Sequence, residues 1–365
     1  MNHVKTTFCR LLTTIVLGFS IETACACMVC IPFPKETFTD QLLTAQIVVL
    51  AREHPEKAFS YQVKTILKGD IDHPEIDLFL ASRTRRRLAE NPEESVVLAY
   101  DAKTQNWQRA GYATPAYESI VREILIRESS WNPSFGKERR PRFFLPYLAD
   151  EDPTIRELAS LEVGQASYSL IREADRFIPR QQVRNFLAEP KYMEWWALYI
   201  LLLGVDATTA EAKIIRDAIE NHTLFNQSLN LAAWATALIE IDGETGIDWL
   251  EQNYLLKPNR PNDQVLDVVK ALSVQGANVD STLRLRIAKS YGALITSHPS
   301  LAGWVARDLT AWKDWRLADV LRNLREQSVV MDAQTAYAID YYLKRAQLAQ
   351  DSQSSCLGSY KMTQF

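Results

Sequence analysis

Three cysteines lie within a short stretch near the N-terminus, where the sequence is ACACMVCIPFP over residues 24–34. Cysteines at this spacing suit four kinds of chemistry: a redox-active dithiol, a zinc site, attachment of a lipid, or a disulfide bond. The whole chain has only five cysteines. Cys27 and Cys30 form a Cys-x-x-Cys pair and are therefore the first candidates for a chemical role.

The residues around this pair separate the alternatives. A redox dithiol lies at the start of a helix, where the thiol pKa is lowered, but the prolines of IPFP at 31–34 prevent an immediate helix. A c-type haem needs histidine where Ile31 stands, and zinc needs further ligands, whereas Cys356 is remote. We expect a disulfide or a lipid attachment at Cys27 and Cys30, with no metal and no cofactor.

The segment before the pair predicts export. Lys5 and Arg10 accompany the apolar run Leu11–Phe19, and small residues lead up to Ala26. This arrangement is typical of a secretory signal peptide, here over residues 1–26. The apolar run is too short for a membrane-spanning helix, which takes ~20 residues.

Cleavage after Ala26 would make Cys27 the first residue of the mature protein. Ordinary cleavage predicts a local disulfide between Cys27 and Cys30, and a lipoprotein signal predicts a lipid on Cys27 instead. The first product is periplasmic or extracellular, whereas the second is a membrane-anchored lipoprotein. We predict ordinary cleavage and keep lipidation as its alternative.

The charge of the chain argues against nucleic acid as a partner. The formal net charge is −4, and the counterion release that drives binding to nucleic acid needs clustered lysine and arginine. One basic run exists, RTRRR at Arg83–Arg87, and it is soon followed by acidic residues. Such a run is typical of a solvated segment, so we predict an exposed loop here rather than an anion site.

The sequence lacks the common motifs of catalysis. It contains neither Gly-x-Ser-x-Gly nor His-Glu-x-x-His, and its five histidines are scattered. His222 ends a helical stretch, where a cationic imidazole interacts favourably with the helix dipole. The sequence therefore predicts no catalytic residues and no enzyme, with a thiol-disulfide redox protein that uses Cys27 and Cys30 as the alternative.

Hydrophobic periodicity divides the chain into two halves. From Thr44 to Tyr112, short apolar blocks such as EIDLFLA at 75–81 are separated by turn formers, which predicts several short strands. Pro115 then opens a helical pattern that continues to residue 350. The predicted fold is α+β and multidomain, with a small β-barrel-like domain over 27–113, an all-α domain over 114–350 and a flexible tail over 351–365.

Prolines recur in the predicted turns of the helical half. They stand at Pro153, Pro190, Pro258 and Pro299, at separations of 37, 68 and 41 residues. Stacked helix pairs produce such a spacing, because each pair covers the apolar face of its neighbour. The helical half is therefore predicted to be a repeat array.

One segment of this half, FFLPYLADEDPTIRELASL at 143–161, resembles a HEAT repeat. The residues that carry the resemblance are Asp152, Pro153, Ile155, Arg156 and Ala159. The likeness extends over residues 140–330 and implies a HEAT-like α-solenoid. In such a repeat, Ile155 and Ala159 face inward and Arg156 lies on the outer ridge.

The order of parts also resembles an uncharacterised family of secreted bacterial proteins. Its members combine a signal peptide, Cys-x-x-Cys, a small β-domain, HEAT-like helices and a late segment that reads DLTAWKDW here (Asp308–Trp315). The stretches 27–53 and 61–69 resemble the netrin-like, OB-type domain of tissue metalloprotease inhibitors. That second resemblance implies inhibition of a zinc protease through the free amine and carbonyl of Cys27.

Tryptophans of the helical half are candidate contacts for a partner. Trp195 and Trp196 are adjacent, so both cannot face the core of one helix, and Trp312 and Trp315 share a helix face. Exposed tryptophan on a repeat surface is typical of a protein-binding site. We predict an exported protein-binding or scaffold protein, with a protein as partner and membrane contact only through a lipid on Cys27.

Overall fold

A small antiparallel sheet near the N-terminus precedes a long succession of helices in the computed structural model, so the chain is α+β. The structure describes residues 36–71, 75–131, 138–278, 281–327 and 331–361. The predicted signal peptide, Cys27 and Cys30 lie outside these residues.

Five strands form the sheet. They are β1 (Ile47–Glu53), β2 (Tyr61–Lys68), β3 (Glu75–Ile76), β4 (Ser95–Asp101) and β5 (Asn106–Ala113). Their order is β3-β2-β1-β4-β5, and all neighbouring pairs are antiparallel. Within the described part of the chain β3 and β5 are the two edges, so the predicted closure into a barrel is not shown.

The two central strands of the sheet, β1 and β4, are buried on both faces over most of their length. Successive side chains of a strand point to opposite faces, and Val49 of β1 belongs to one buried cluster while Val48 belongs to another. Three helices cover the sheet: α1 (Phe38–Thr44), α2 (Ser82–Glu90) and α3 (Pro115–Ile126). Leu88 of α2 packs in the cluster of Val49, whereas α1 and α3 lie on the Val48 side.

The basic run at 83–87 lies in α2, so the prediction of an exposed loop is wrong. Arginine is a good helix former. Thr84 and Leu88, one turn apart, give this helix a buried stripe that anchors it to the sheet. The arginines occupy the flanks and the outer face of the helix.

Thirteen α-helices, α4 to α16, follow in the described part of the chain. They are α4 (Arg139–Phe144), α5 (Pro153–Gly164), α6 (Tyr168–Ala174), α7 (Arg180–Ala188), α8 (Trp196–Gly204), α9 (Thr209–Leu224), α10 (Leu231–Asp242), α11 (Glu244–Leu250), α12 (Asn262–Asn278), α13 (Ser281–Ser297), α14 (Ala302–Trp312), α15 (Ala318–Glu326) and α16 (Ala333–Lys361). A π-helix, Glu251–Leu255, extends α11 directly.

Alternate helices of this series pack on one another. Helix α8 packs on α10, α10 on α12, α12 on α14, and α14 on α16, while α11, α13 and α15 follow one another in the same way. Every residue from 197 to 204 in α8 is buried. The even-numbered helices from α8 to α16 therefore form one row.

Helix α6 lies across this row. Tyr168 of α6 donates a hydrogen bond of 3.0 Å to Glu240 of α10, and Arg172 of α6 pairs with the same carboxylate at 3.0 Å. Gln275 of α12 donates to Glu240 at 3.2 Å. One half-buried carboxylate thus joins three helices.

The segment that resembles a HEAT repeat forms α5. Asp152 caps its first turn, Pro153 is its first residue, and Ile155 and Ala159 are buried. Arg156 does not extend along an outer ridge, because its Nη1 donates to a backbone carbonyl just before the cap at 2.5 Å. Its guanidinium also lies over two aromatic rings of the next helix pair.

The sheet and the helices share one buried core at the predicted domain boundary. Tyr117 of α3 donates to the carbonyl oxygen of Ala110 in β5 at 2.6 Å. Arg140 of α4 pairs with Asp40 of α1 at 2.7 Å and with Glu162 of α5 at 2.7 Å. The boundary after residue 113 therefore falls where side chains from both sides are in contact.

The last helix runs into the C-terminal segment. Helix α16 continues to Lys361 and so includes part of the segment 351–365, for which the sequence predicts a flexible tail. The residues after Lys361 lie outside the described part of the chain.

Candidate protein-interaction surface

The structure places Trp195 and Trp196 at the start of α8. Both side chains are half-buried and pack against the main core. The indole nitrogen of Trp196 donates to the carbonyl oxygen of Phe186 at 3.1 Å. Trp196 therefore connects the start of α8 to α7 by a hydrogen bond.

Trp312 and Trp315 lie at the other end of the helical array. The ring of Trp312 stacks on Tyr291 with centroids 5.7 Å apart, and a Cβ added at Gly276 would lie 2.4 Å from its atoms. Trp315 packs against Tyr342 at 5.4 Å. Both rings are half-buried within the protein, and the four tryptophans do not form one surface.

More exposed apolar side chains lie in the connection between α9 and α10. The exposed fractions are 76% for Leu224, 69% for Phe225 and 55% for Leu229. The next connection, between the π-helix and α12, exposes Leu256 by 37%. We call these four side chains the apolar ridge.

Two asparagines give the connection its shape. Asn226 has φ 53° and Asn230 has φ 55°, both in the left-handed region. Asparagine tolerates this region better than most residues with a side chain. The backbone therefore turns sharply on either side of Leu229, between α9 and α10.

His222 fixes the connection from within α9. Its Nδ1 lies 2.8 Å from the carbonyl oxygen of Ala218, and its Nε2 lies 2.8 Å from that of Leu229. Both ring nitrogens therefore face backbone carbonyl oxygens, one within α9 and one in the connection. The ring also contacts Trp234 of α10, so one side chain joins both helices and the turn.

Arg260 joins this connection to the next one. Its Nη1 and Nη2 donate to the carbonyl oxygen of Thr223 at 3.3 and 3.2 Å, and Nη1 donates to Asn226 Oδ1 at 3.2 Å. Its Nε donates to the carbonyl oxygen of Asn253 in the π-helix at 3.1 Å. Gln264 donates to the carbonyl oxygen of Asn226 at 3.1 Å.

The hydrogen bonds of His222, Arg260 and Gln264 fix the backbone of the two connections. The side chains of the apolar ridge are therefore exposed to solvent on an ordered backbone. A partner that covers the apolar ridge gains hydrophobic burial. Because the two connections are ordered before binding, little conformational entropy is lost when they meet the partner. The arrangement is suited to recognition of a partner surface.

Within the described ranges, no three side chains of histidine, cysteine, aspartate or glutamate are grouped to hold a metal ion. Over the same ranges, no helix combines the length and apolar character needed to cross a membrane. No protein-family model, curated protein or solved structure matches the chain.

The sequence reasoning missed the apolar ridge. The signal that could have revealed it is the pair Leu224–Phe225, which stands in the polar stretch NHTLFNQSLN, where the helix pattern ends. The four tryptophans named from the sequence are half-buried and pack against the main core, so each of them offers only part of its ring to a partner.

Proposed function

We propose that the protein is an exported protein-binding scaffold and that it contacts its partner through the apolar ridge. The observation that carries this proposal is the exposure of Leu224 and Phe225 on a connection held by Arg260 and His222. A few well-buried side chains at the centre of an interface supply most of its binding energy, and burying a large apolar side chain such as leucine or phenylalanine is favourable by about 1.5–3 kcal/mol.

We further propose that the helical half is a HEAT-like solenoid. In the described part of the chain, the pairs α7–α8, α9–α10, α11–α12, α13–α14 and α15–α16 support this architecture, because each even-numbered helix packs on the next even-numbered one. In a solenoid, successive turns lie along one edge. Arg260, which joins two successive connections, and the 3.4 Å hydrogen bond from Asn262 to Ser300, which reaches a third, support such an edge.

Replacing Phe225 with aspartate tests the proposed partner surface. We expect the immobilised mature protein to capture a partner from its native envelope fraction, and the variant to retain about tenfold less of it, because the charge prevents apolar burial. Quantitative mass spectrometry of the captured proteins measures the change. The matched control is Ile214→Asp, at an exposed apolar position on α9 itself. Equal capture by wild type and the Phe225 variant would refute the role of the ridge.

Intact mass of the exported protein tests the proposed processing. We expect cleavage after Ala26 and a mass lower by two hydrogen atoms than the reduced chain, because Cys27 and Cys30 are joined in a disulfide. Reduction should restore the two hydrogens. A mass increased by a diacylglycerol group on Cys27 would contradict the disulfide and make the protein a lipoprotein.

A further inference from the structure

A cluster of arginines and hydroxyl groups lies where α2 covers β5. Arg109 of β5 donates from Nη1 to Thr84 Oγ1 at 3.0 Å and to the hydroxyl of Tyr112 at 2.8 Å. The guanidinium of Arg87 lies 4.0 Å from the centre of the Tyr112 ring, and that of Arg109 lies 4.8 Å from it. Arg83 precedes Arg87 by one helical turn and so lies on the same flank of α2. We call these five residues the arginine cluster.

The positive charge of the arginine cluster is only partly compensated. Arg87 pairs with Glu94 at 2.6 Å. This pairing and the more distant negative charge of Asp152 both raise the pKa of Arg87. Arg83 and Arg109 are both exposed, and neither makes an ion pair with any carboxylate in the ranges that the structure describes. Like charges four residues apart on a helix repel each other. Among the described residues, Arg87 thus has an ion-pair partner, whereas Arg83 and Arg109 have none.

Arg109 also has donors to spare. A guanidinium carries five N–H groups, and the two protein hydrogen bonds of Arg109 both leave from Nη1. Its Nε and Nη2 have no acceptor among the described residues. The ring of Tyr112 and the hydroxyl of Thr84 hold the group in place, so the unused edge has a fixed direction. Planar edges of this kind bind the oxygens of phosphate in pairs.

We propose that the arginine cluster binds a phosphate group, either as the free ion or as the monoester headgroup of a lipid. Arg109 and Arg83 supply the donors, while Arg87 adds positive charge from its place against Tyr112. The site lies on the β-domain and is separate from the apolar ridge. It gives the protein a second binding function, directed at an anion rather than at a protein.

Calorimetric titration of the full mature chain with inorganic phosphate tests the free-ion form, with chloride used to keep ionic strength constant. We expect saturable binding that weakens about fivefold in Arg83→Gln and in Arg109→Gln, since each loses charge-assisted hydrogen bonds. Arg86→Gln is the control: it removes the same charge from the side of the same helix that lies opposite Thr84 and Leu88 and therefore faces away from the sheet. We expect its affinity to stay within about twofold of wild type.

Cosedimentation with phosphatidylcholine vesicles that contain phosphatidic acid tests the headgroup form with the same variants. Binding to vesicles without binding to inorganic phosphate would assign the lipid as the source, and the reverse would assign the free ion. Failure of both would overturn the proposal, as would an equal loss in Arg86→Gln, which would reveal unspecific attraction. Arg83→Gln keeps the test valid if Arg109→Gln disturbs folding, because Arg83 is exposed and makes no described hydrogen bond that stabilises the fold.

Discussion

Replacing Ala159 with glutamate is expected to lower the free energy of unfolding by about 4 kcal/mol. Ala159 is fully buried in α5 and belongs to the core that joins the sheet and the helices. A carboxylate there loses its hydration without gaining a partner, and the larger side chain overfills the space of a methyl group. Arg156, one turn earlier, is engaged by a backbone carbonyl and by aromatic rings.

The cost of this glutamate should depend on pH. Burial raises the pKa of a carboxyl group above its value in the unfolded chain. The folded variant then binds a proton more tightly than the unfolded variant. The free energy of unfolding of the variant therefore falls as the pH rises from the pKa of this glutamate in the unfolded chain to its higher pKa in the folded chain. Urea unfolding at pH 5 and pH 8 should show a larger gap from wild type at pH 8.

The matched control is Ala210→Glu. Ala210 is exposed in the first turn of α9, where an acidic side chain interacts favourably with the helix dipole. We expect its free energy of unfolding to stay within about 0.5 kcal/mol of wild type. An unchanged midpoint for Ala159→Glu would show that this face of α5 does not line the core.

Local signals explain which parts of the fold could be predicted from the sequence. Thr114 caps α3 and Pro115 is its first residue, and both roles depend on neighbours within one turn. Val48 and Val49 illustrate the strand signal, since a central strand buried on both faces is apolar at successive positions. These features need no information from distant parts of the chain.

Other features depend on distant contacts and were missed. The stretch at 75–81 has the composition of a strand, but β3 ends at Ile76 and the chain turns to bond the backbone of Phe59. The basic run at 83–87 becomes a helix because the sheet offers a surface for Thr84 and Leu88. Propensity alone does not decide such short segments.

The apolar ridge was missed for a similar reason. Leu224 and Phe225 follow a helical pattern and would be assigned to the core by composition. Their exposure is set by Arg260, which lies more than thirty residues later and holds the connection through backbone carbonyls. No pattern within the α9 sequence reports that bond.

Asp308, the first residue of the DLTAWKDW segment, is expected to make the stability of the protein depend strongly on pH. Its Oδ1 accepts a hydrogen bond of 2.8 Å from Ser273 of α12, and its Oδ2 accepts one from the hydroxyl of Tyr291 in α13. Burial raises the pKa of Asp308 to about 6, although the two hydroxyls and the charge of Arg307 act in the opposite direction. Three helices therefore meet at a carboxyl group that has no ion-pair partner in the described part of the chain.

The sign of the pH dependence follows from this raised pKa. The ordinary pKa of an aspartate is 3.8, so between about pH 4 and pH 6 the folded chain binds this proton more tightly than the unfolded chain. The stabilising contribution is complete below this range and is lost as the pH rises through about 6. A difference of roughly two pKa units corresponds to about 3 kcal/mol.

Asp308→Asn isolates this contribution, because the amide stays neutral at every pH and keeps an acceptor oxygen for one of the hydroxyls. We expect the stability of the variant to rise relative to wild type by about 3 kcal/mol between pH 4 and pH 8. Urea unfolding of both proteins across this range measures the difference. The control, Asp319→Asn, changes an exposed aspartate of α15 and should show no such trend. Parallel stability profiles for Asp308→Asn and wild type would mean that Asp308 is ionised at no cost in the folded protein, and that the two hydroxyl hydrogen bonds fully replace the water lost on burial.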